Sequence, residues 1–332
     1  MQTRQTIRLS LPSKGRLESD TLDFLSAAGL RVFKPNPRQY QAEVPAIPEL
    51  GVIFQRPGDI VVSVRQGSVD FGITGMDVIE EKRGGNGDIL ILHDELGFGH
   101  CSLTVAVPEG WEQVKDIASL KKYSLALERP LRVATKFPVL TERFLNQKNI
   151  PHTLISAEGT LETAPTIGYA DVISDLVSSG QTLKDNRLRA LSDGVIQLSQ
   201  AAFIANRKAL QTNPNALEMA RRLLEYIEAH LRAEENLLVV ANMRGKSPEM
   251  IAQKMFDETT VSGLQGPTIS PVIVRDAKQK WFSVSIVVRR DDLSRAITEL
   301  RNIGGSGIIV SPVTYIFEEE PPRYKAMLNA LQ

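Results

Sequence analysis

Over its first 210 residues the chain alternates short β-branched runs with amphipathic stretches. That alternation restricts it to an α/β architecture, because each apolar run reads as a strand and each stretch between as a covering helix. Strands are expected at residues 7–11, 52–54, 60–64, 69–73 and 89–92. A second set is expected at 103–107, 131–134, 153–156 and 172–177. Residues 17–30 fit a helix: Leu22, Leu25 and Ala28 share a face, and Gly29 suits the C-terminal cap. Residues 137–148 read as another. One more strand is expected at 195–205, then a long helix opened by Asn213-Pro214, and a polar linker at 232–236.

The last hundred residues change rhythm. Strands at 237–241, 269–274, 282–288 and 308–317 flank helices at 247–256 and 291–302, the second capped by Asp291 and ended by Gly304. The order βαββαβ is that of a ferredoxin-like unit. A module of this kind, without clustered reactive side chains, suits ligand binding or subunit pairing.

Composition narrows the function. The 332 residues carry 39 Lys and Arg against 39 Asp and Glu, so no broad field draws the chain to nucleic acid or an acidic membrane. Cys101 is the single cysteine and is read as a small buried residue. His93, His100, His152 and His230 form no H-x-x-x-H pair, which argues against zinc. No apolar run is long enough to span a bilayer, and the first residues carry no apolar leader core. A cytoplasmic protein is expected.

The richest constellation runs from Asp171 to Thr182. Asp171 and Asp175 are four residues apart and alternate onto one side of a strand. Ser178, Ser179, Gly180, Gln181 and Thr182 follow, supplying hydroxyls, a flexible glycine and consecutive N–H groups for a phosphate. The acids could accept from ribose hydroxyls, so the segment suits a 5-phosphoribosyl group. A plain strand followed by a polar turn explains the same residues equally well. Ser13-Lys14-Gly15-Arg16-Leu17 leads from strand to helix, where Lys14 and Arg16 could meet a diphosphate. Arg38 and Arg56 are further cationic candidates. Asp70-Phe71-Gly72-Ile73-Thr74-Gly75 ends a buried strand in a turn of the kind that lines ligand crevices. Ser-His-Asp, P-loop and GxGxxG patterns are absent from the sequence.

These residues resemble the ATP phosphoribosyltransferase family along nearly the whole chain. The segment from Glu162-Thr163-Ala164-Pro165 through Gly168-Tyr169-Ala170-Asp171 to Thr182-Leu183 resembles its phosphoribosyl diphosphate signature. Arg132-Val133-Ala134-Thr135-Lys136-Phe137-Pro138 and Gly263-Leu264-Gln265-Gly266-Pro267-Thr268 also look like family motifs. The resemblance implies the long form: two periplasmic-binding-protein-like catalytic domains and a C-terminal histidine-binding domain. It implies domain I at 1–100 with 190–233, domain II at 101–189 and a regulatory domain at 236–332. The implied reaction joins N1 of the ATP adenine to C1 of phosphoribosyl diphosphate and releases pyrophosphate, with Mg²⁺, in the first step of histidine biosynthesis. On the same ground Arg16, Arg38 and Arg56 are catalytic candidates. Glu162, Asp171, Asp175, Ser178, Ser179, Gly180, Gln181 and Thr182 would bind phosphoribosyl diphosphate, and Glu162 and Asp171 would take the metal. Lys14, Arg16, Asp70, Thr74 and Gly75 would bind ATP. Histidine, as feedback inhibitor, would meet Leu264, Thr268, Val287 and Gly307 in a homo-oligomer of two to six chains. Ser102 and Met243 depart from the family's usual residues, the second at a position that can help hold histidine. The rival readings are another phosphoribosyltransferase, a two-domain small-ligand binding protein and a catalytically silent regulatory paralogue.

Overall fold

The computed structural model describes residues 6–36, 38–156, 160–261, 263–275 and 279–332. Its contacts divide the chain into unit 1, Met1–Arg222 with Pro322–Gln332, and unit 2, Leu223–Pro321.

Unit 1 opens with β1 (Ile7–Pro12), α1 (Arg16–Ala27), β2 (Gln41–Glu43), β3 (Leu50–Gln55), α2 (Pro57–Arg65), β4 (Phe71–Gly75), α3 (Met76–Lys82) and β5 (Ile89–His93). The chain then builds a second sheet from β6 (Cys101–Pro108), α4 (Ile117–Leu125), β7 (Leu131–Thr135), α5 (Pro138–Gln147), β8 (His152–Ser156), a 3-10 turn at Leu161–Thr163, β9 (Val172–Val177), α6 (Gln181–Asp185) and β10 (Leu188–Ser199). It returns through β11 (Ala201–Asn206), α7 (Arg207–Thr212) and α8 (Pro214–Glu234). The first sheet is ordered β2-β3-β1-β4-β11-β5 and the second β10-β6-β9-β7-β8. Within each, three strands are parallel, β3-β1-β4 and β9-β7-β8. Their buried side chains are mostly apolar, among them Leu9, Leu11, Val52, Phe71, Val133 and Ile173, as strands covered on both faces require; Phe71 of β4 packs on Phe203 of β11 with ring centroids 5.7 Å apart.

Three expectations change here. Residues 60–64, read as a strand, lie in α2: Pro57 opens that helix, and Ile60, Val61 and Val64 form its buried stripe. Residues 195–205, read as one strand, are the end of β10 and most of β11, which belong to different sheets. The expected linker at 232–236 is the last turn of α8 and the start of β12 (Asn236–Arg244), joined where Asn236 Nδ2 donates to the Arg232 carbonyl at 2.6 Å.

Unit 2 continues with α9 (Pro248–Glu258), β13 (Thr268–Val272), β14 (Trp281–Arg289), a 3-10 turn at Arg290–Asp292, α10 (Leu293–Asn302) and β15 (Ser306–Pro312). Its sheet is ordered β13-β14-β12-β15 with every neighbouring pair antiparallel. Val239, Ala241, Met243, Val284 and Ile286 face Ile251 and Met255 of α9 and Ala296 and Leu300 of α10. Strict alternation along β12 and β14 leaves the other face partly open.

The final strand, expected to reach 317, stops at Pro312. Beyond it lies α11 (Pro322–Leu331), absent from the sequence reading, which packs on β5 and α7. Residues 322–332 were expected in the C-terminal domain and belong instead to unit 1. Among the described residues no helix is long and apolar enough to cross a membrane.

Candidate active site

In a parallel sheet the loops at the carboxyl ends of the strands are free to hold ligands, since the crossovers begin there. In the first sheet these ends lie at Pro12, Gln55 and Gly75. Ser13 N donates to the Gln55 carbonyl at 2.9 Å, which fastens the loop after β1 to the end of β3. Gly15, at φ 75°, turns the chain into α1, and a Cβ there would meet no atom within 4 Å, so space is open above it. Lys14 and Arg16 are exposed on this loop; Arg16 pairs with Asp20 at 3.4 Å. Arg56 follows β3 and precedes Pro57.

In the second sheet the corresponding ends are Thr135, Ser156 and Val177. A buried hydroxyl chain braces them. Thr135 Oγ1 lies 3.2 Å from Thr141 Oγ1, which donates to Ser174 Oγ at 3.0 Å, while Phe137 N donates to Thr135 Oγ1 at 2.9 Å. This fixes the turn that carries Lys136. Asp175, near the end of β9, accepts from Leu176 N at 2.8 Å. Burial raises its pKa; that hydrogen bond and Lys136 oppose the rise, and Glu162 adds to it. Glu162 and Lys136 are therefore within electrostatic reach of Asp175. Beyond β9, Ser178, Ser179, Gln181 and Thr182 are exposed around the start of α6, with Gly180 at φ 74° as the turning residue.

A cleft of about 680 Å³ is lined by the residues after β3 and β7 together with α2, α3 and the start of α5. Arg56, Arg65 and Lys82 line it from the first half of unit 1, Lys136 from the second, and Glu81 is the one carboxylate among the described lining residues. Gly58 makes room for Lys82, whose Cε would sit 2.9 Å from a Cβ at that position. Among the described residues four cations against one acid make a surface for polyanions.

The expected carboxylates divide by strand end. Asp175 stands near the carboxyl end. Asp70 and Asp171 stand before β4 and β9, at the amino ends. Asp70 accepts from Arg8 N at 2.9 Å. Asp171 accepts from Arg129 Nη1 at 2.6 Å and Nη2 at 2.9 Å, from Arg132 Nη2 at 2.8 Å and from Arg132 N at 2.8 Å. At about 3.3 Å per residue, Asp171 is roughly 13 Å from Asp175 and roughly 23 Å from Ser178. One ribose cannot span both acids. The expected roles of Asp171 in ribose and metal binding and of Asp70 in ATP binding therefore give way to structural ones. Sequence spacing put Asp171 and Asp175 on one side but concealed their separation along the strand.

Thr74 is fully buried, and its Oγ1 has no partner among the described residues; it is not presented to the cleft. Arg38 lies in the connection from α1 to β2, its N–H on Asn36 Oδ1 at 3.0 Å, and it is not among the cleft-lining side chains. Lys136 stands in a family-like motif that by itself assigns it no role, and Glu81, Arg65 and Lys82 carry no sequence signal beyond helical charge. Among the described residues no three His, Cys, Asp or Glu are gathered as a metal cluster. In unit 2, Leu264 and Val287 line one pocket of about 360 Å³ with Arg232, Glu235 and Asp292. Thr268 and Gly307 lie on opposite edge strands, three strand spacings or roughly 14 Å apart, so one chain does not gather all four.

Comparison with known proteins agrees with this arrangement. Residues 56–229 match the family model described as HisG: ATP phosphoribosyltransferase, and residues 233–315 match that of HisG, C-terminal domain. ATP phosphoribosyltransferase 2, chloroplastic, of Arabidopsis thaliana is 46% identical over 99% of this chain and 81% of its own length. ATP phosphoribosyltransferase of Rhodopseudomonas palustris is 30% identical over 98% of both chains. A solved ATP phosphoribosyl transferase (HisG:HisZ) complex from Thermotoga maritima contains a chain that is 25% identical, with TM-score 0.51, covering 67% of this chain and 99% of that one. The last match spans only two thirds of this chain, whereas the Rhodopseudomonas relative runs its full length. The chain belongs to the ATP phosphoribosyltransferase family, in its long form.

Proposed function

We propose that ATP and phosphoribosyl diphosphate meet in the basic cleft of unit 1, with the loop after β9 gripping the 5-phosphate. As a family member the chain is a phosphoribosyltransferase of the glycosyltransferase class and catalyses the first step of histidine biosynthesis. The observation that carries the assignment of the site is the meeting of Arg56, Arg65, Lys82 and Lys136 around one cleft that both halves of unit 1 line, with Arg56 and Lys136 directly after strand ends.

Adenine N1 holds a free lone pair at neutral pH, so its attack on C1 needs no strong base. The protein's work is to position two polyanions and stabilise the departing pyrophosphate. Ser178, Ser179, Gly180, Gln181 and Thr182 would hold the 5-phosphate, with Asp175 and Glu162 on the ribose hydroxyls. Arg16, Arg56 and Lys136, with Lys14 and Arg38 as outer cations, would neutralise the diphosphate and ATP phosphates, and Gly75 would border the adenine side. Mg²⁺ fits this donor set, because Asp175 and Glu162 are close enough to affect each other's charge and Mg²⁺ is usually held by one or two carboxylates plus substrate phosphates. It would supply charge neutralisation on the leaving pyrophosphate.

Unit 1 is proposed to have the periplasmic-binding-protein-like arrangement, supported by the two passages of the chain between its sheets, at 94–100 and at Gln200. Unit 2 is proposed to be ferredoxin-like, supported by its strand order. A cytoplasmic location is proposed too, and cell fractionation tests it against the chloroplast named for the Arabidopsis relative. Histidine is proposed as a feedback inhibitor acting on unit 2 of a homo-oligomer. Titration calorimetry with histidine on the full chain, beside Leu264→Arg, tests the first part, and analytical ultracentrifugation the second.

The decisive experiment is an assay with ATP, phosphoribosyl diphosphate and Mg²⁺ that follows pyrophosphate and the N1-substituted product. Asp175→Asn is expected to lower turnover by about 100-fold, and Arg56→Ala to cost about 1.5–3 kcal/mol of transition-state binding. Near-normal kinetics in both variants would remove the site assignment.

A further inference from the structure

Helix α5 begins without a cap of its own. Its N-cap residue is Phe137, which offers no side-chain acceptor, and its first turn carries no acid. Two of the orphaned N–H groups of that turn are nevertheless satisfied: Val139 N donates to Glu81 Oε1 at 2.9 Å and Leu140 N to Glu81 Oε2 at 3.0 Å. Glu81 comes from the last turn of α3, which belongs to the first sheet's half of unit 1, whereas α5 belongs to the second. The cap is imported from the other half, and Glu81 lines the cleft together with Lys136 and Pro138.

The other end of α3 is anchored as well. Asp77, one turn earlier on the same face, accepts from Ser199 Oγ at 2.5 Å, and its own N–H donates to that oxygen at 3.0 Å. Ser199 is the last residue of β10, where the chain passes back to the first sheet. Asp77 thus bonds at the crossing and Glu81 about 6 Å farther along the helix. Rotation of one half about the crossing would leave the Asp77 contact nearly unchanged and pull the Glu81 contact apart.

We propose that Glu81 is a positioning residue: a clasp across the cleft that sets the separation at which Arg56, Arg65 and Lys82 face Lys136. This rests on the reading of that cleft as the substrate site. The carboxylate is suited to the task because both its oxygens accept charge-assisted bonds and the α5 dipole favours a negative group there. Its contribution is to geometry, so its loss acts on the reaction through misplacement of the cations.

The test uses the full chain and the variants Glu81→Ala and Glu81→Gln, with Arg56→Ala and Asp175→Asn beside them. Kinetics are measured well below the melting temperature, with amide exchange followed at residues 138–144. Glu81→Ala is expected to lower kcat/KM by roughly 10- to 100-fold, with KM rising for both substrates and faster exchange at Val139 and Leu140. Glu81→Gln keeps one acceptor and is expected to fall between; it also serves if the alanine variant does not fold. Kinetics within two-fold of the parent, with only the melting temperature lowered, reduce Glu81 to a helix cap and overturn the clasp. If Arg56→Ala and Asp175→Asn are also unimpaired, the failure lies with the cleft assignment. If they are impaired and both Glu81 variants are not, the clasp alone fails.

Discussion

Asp171, just before β9, and Asp175, within it, stand four residues apart, yet their surroundings move their protonation in opposite directions. For both, burial is the largest influence and raises the pKa. At Asp171 the hydrogen bonds from Arg129 and Arg132 outweigh it and hold the carboxyl below the ordinary aspartate range. At Asp175 burial prevails. The consequences for stability follow from which state binds the proton more tightly. The folded-state pKa of Asp171 is depressed, so its contribution is present above the unfolded value near 3.8 and is lost as pH falls below it toward the folded value. Asp171→Asn is therefore expected to destabilise the protein by on the order of 2 kcal/mol at pH 7, because two guanidinium groups lose their counter-charge. In urea unfolding from pH 7 downward the gap between variant and parent should narrow below pH 4; a gap independent of pH would show that the carboxylate is not the group that matters. Asp175 has the opposite sign: its ionised form is the disfavoured one, so stability falls as pH rises through its raised pKa. An enzyme that uses the ionised form should show an acid limb in its rate above the usual carboxylate pKa, and that limb should be missing in Asp175→Asn.

Short elements carry the candidate chemistry, and they were unevenly legible. Helix α6 has five residues and turns on Gly180, whose φ of 74° an L residue adopts at a cost of about 1–2 kcal/mol. A Cβ there would meet only Val177 Cγ1 at 3.9 Å, so Gly180→Ala tests backbone conformation without a clash. The expected result is a KM for phosphoribosyl diphosphate raised about ten-fold, with a smaller change for ATP; equal effects on both would detach the loop from the phosphoribosyl group. The glycine and hydroxyls of this loop were readable because turn chemistry is local. Most central strands of both sheets were readable because short apolar runs flanked by turns favour strands, whereas the short polar edge strand β2 and the first half of β10, broken by Ser192, Asp193 and Gly194, gave no such run. Residues 60–64 misled because Ile-Val-Val-Ser-Val satisfies strand propensity, and only the preceding Pro57 and the sheet above it decide for helix. Residues 195–205 misled because β10 passes into β11 across the single residue Gln200, with no Gly or Pro to mark the change of sheet. Glu81 was invisible for a third reason: its partners are 58 and 59 residues away in sequence, and no local pattern reports a cap supplied by another element.

At the scale of the whole molecule, the chain leaves unit 1 within α8 and comes back to it at Pro322, so the segment matched by the C-terminal family model is enclosed by unit 1 in sequence. The returning helix α11 covers β5, the edge strand of the first sheet, where exposed backbone would otherwise invite further pairing. Arg207 Nη1 and Gln211 Nε2 of α7 donate to the carbonyls of Ala330 and Leu331, which satisfies the helix's C-terminal end, and Arg323 pairs with Asp94 at 2.6 Å. Met327 is its buried apolar anchor. Burial of that side chain and two or three polar contacts together make the docking worth on the order of 3 kcal/mol. His93 at the end of β5 reports on the same contact. Burial and the Arg323 charge lower its pKa from 6.5 to about 4, so the unfolded chain takes up a proton before the folded one does, and stability declines as pH falls from about 6.5 to about 4. Deleting residues 322–332 should lower the melting temperature by several degrees and flatten the stability profile between pH 6.5 and 4, as His93 gains solvent and loses the Arg323 charge. Thermal unfolding of parent and shortened chain across that range measures both effects. A shortened chain with the parent's melting temperature and pH slope would mean that α11 does not hold the β5 edge.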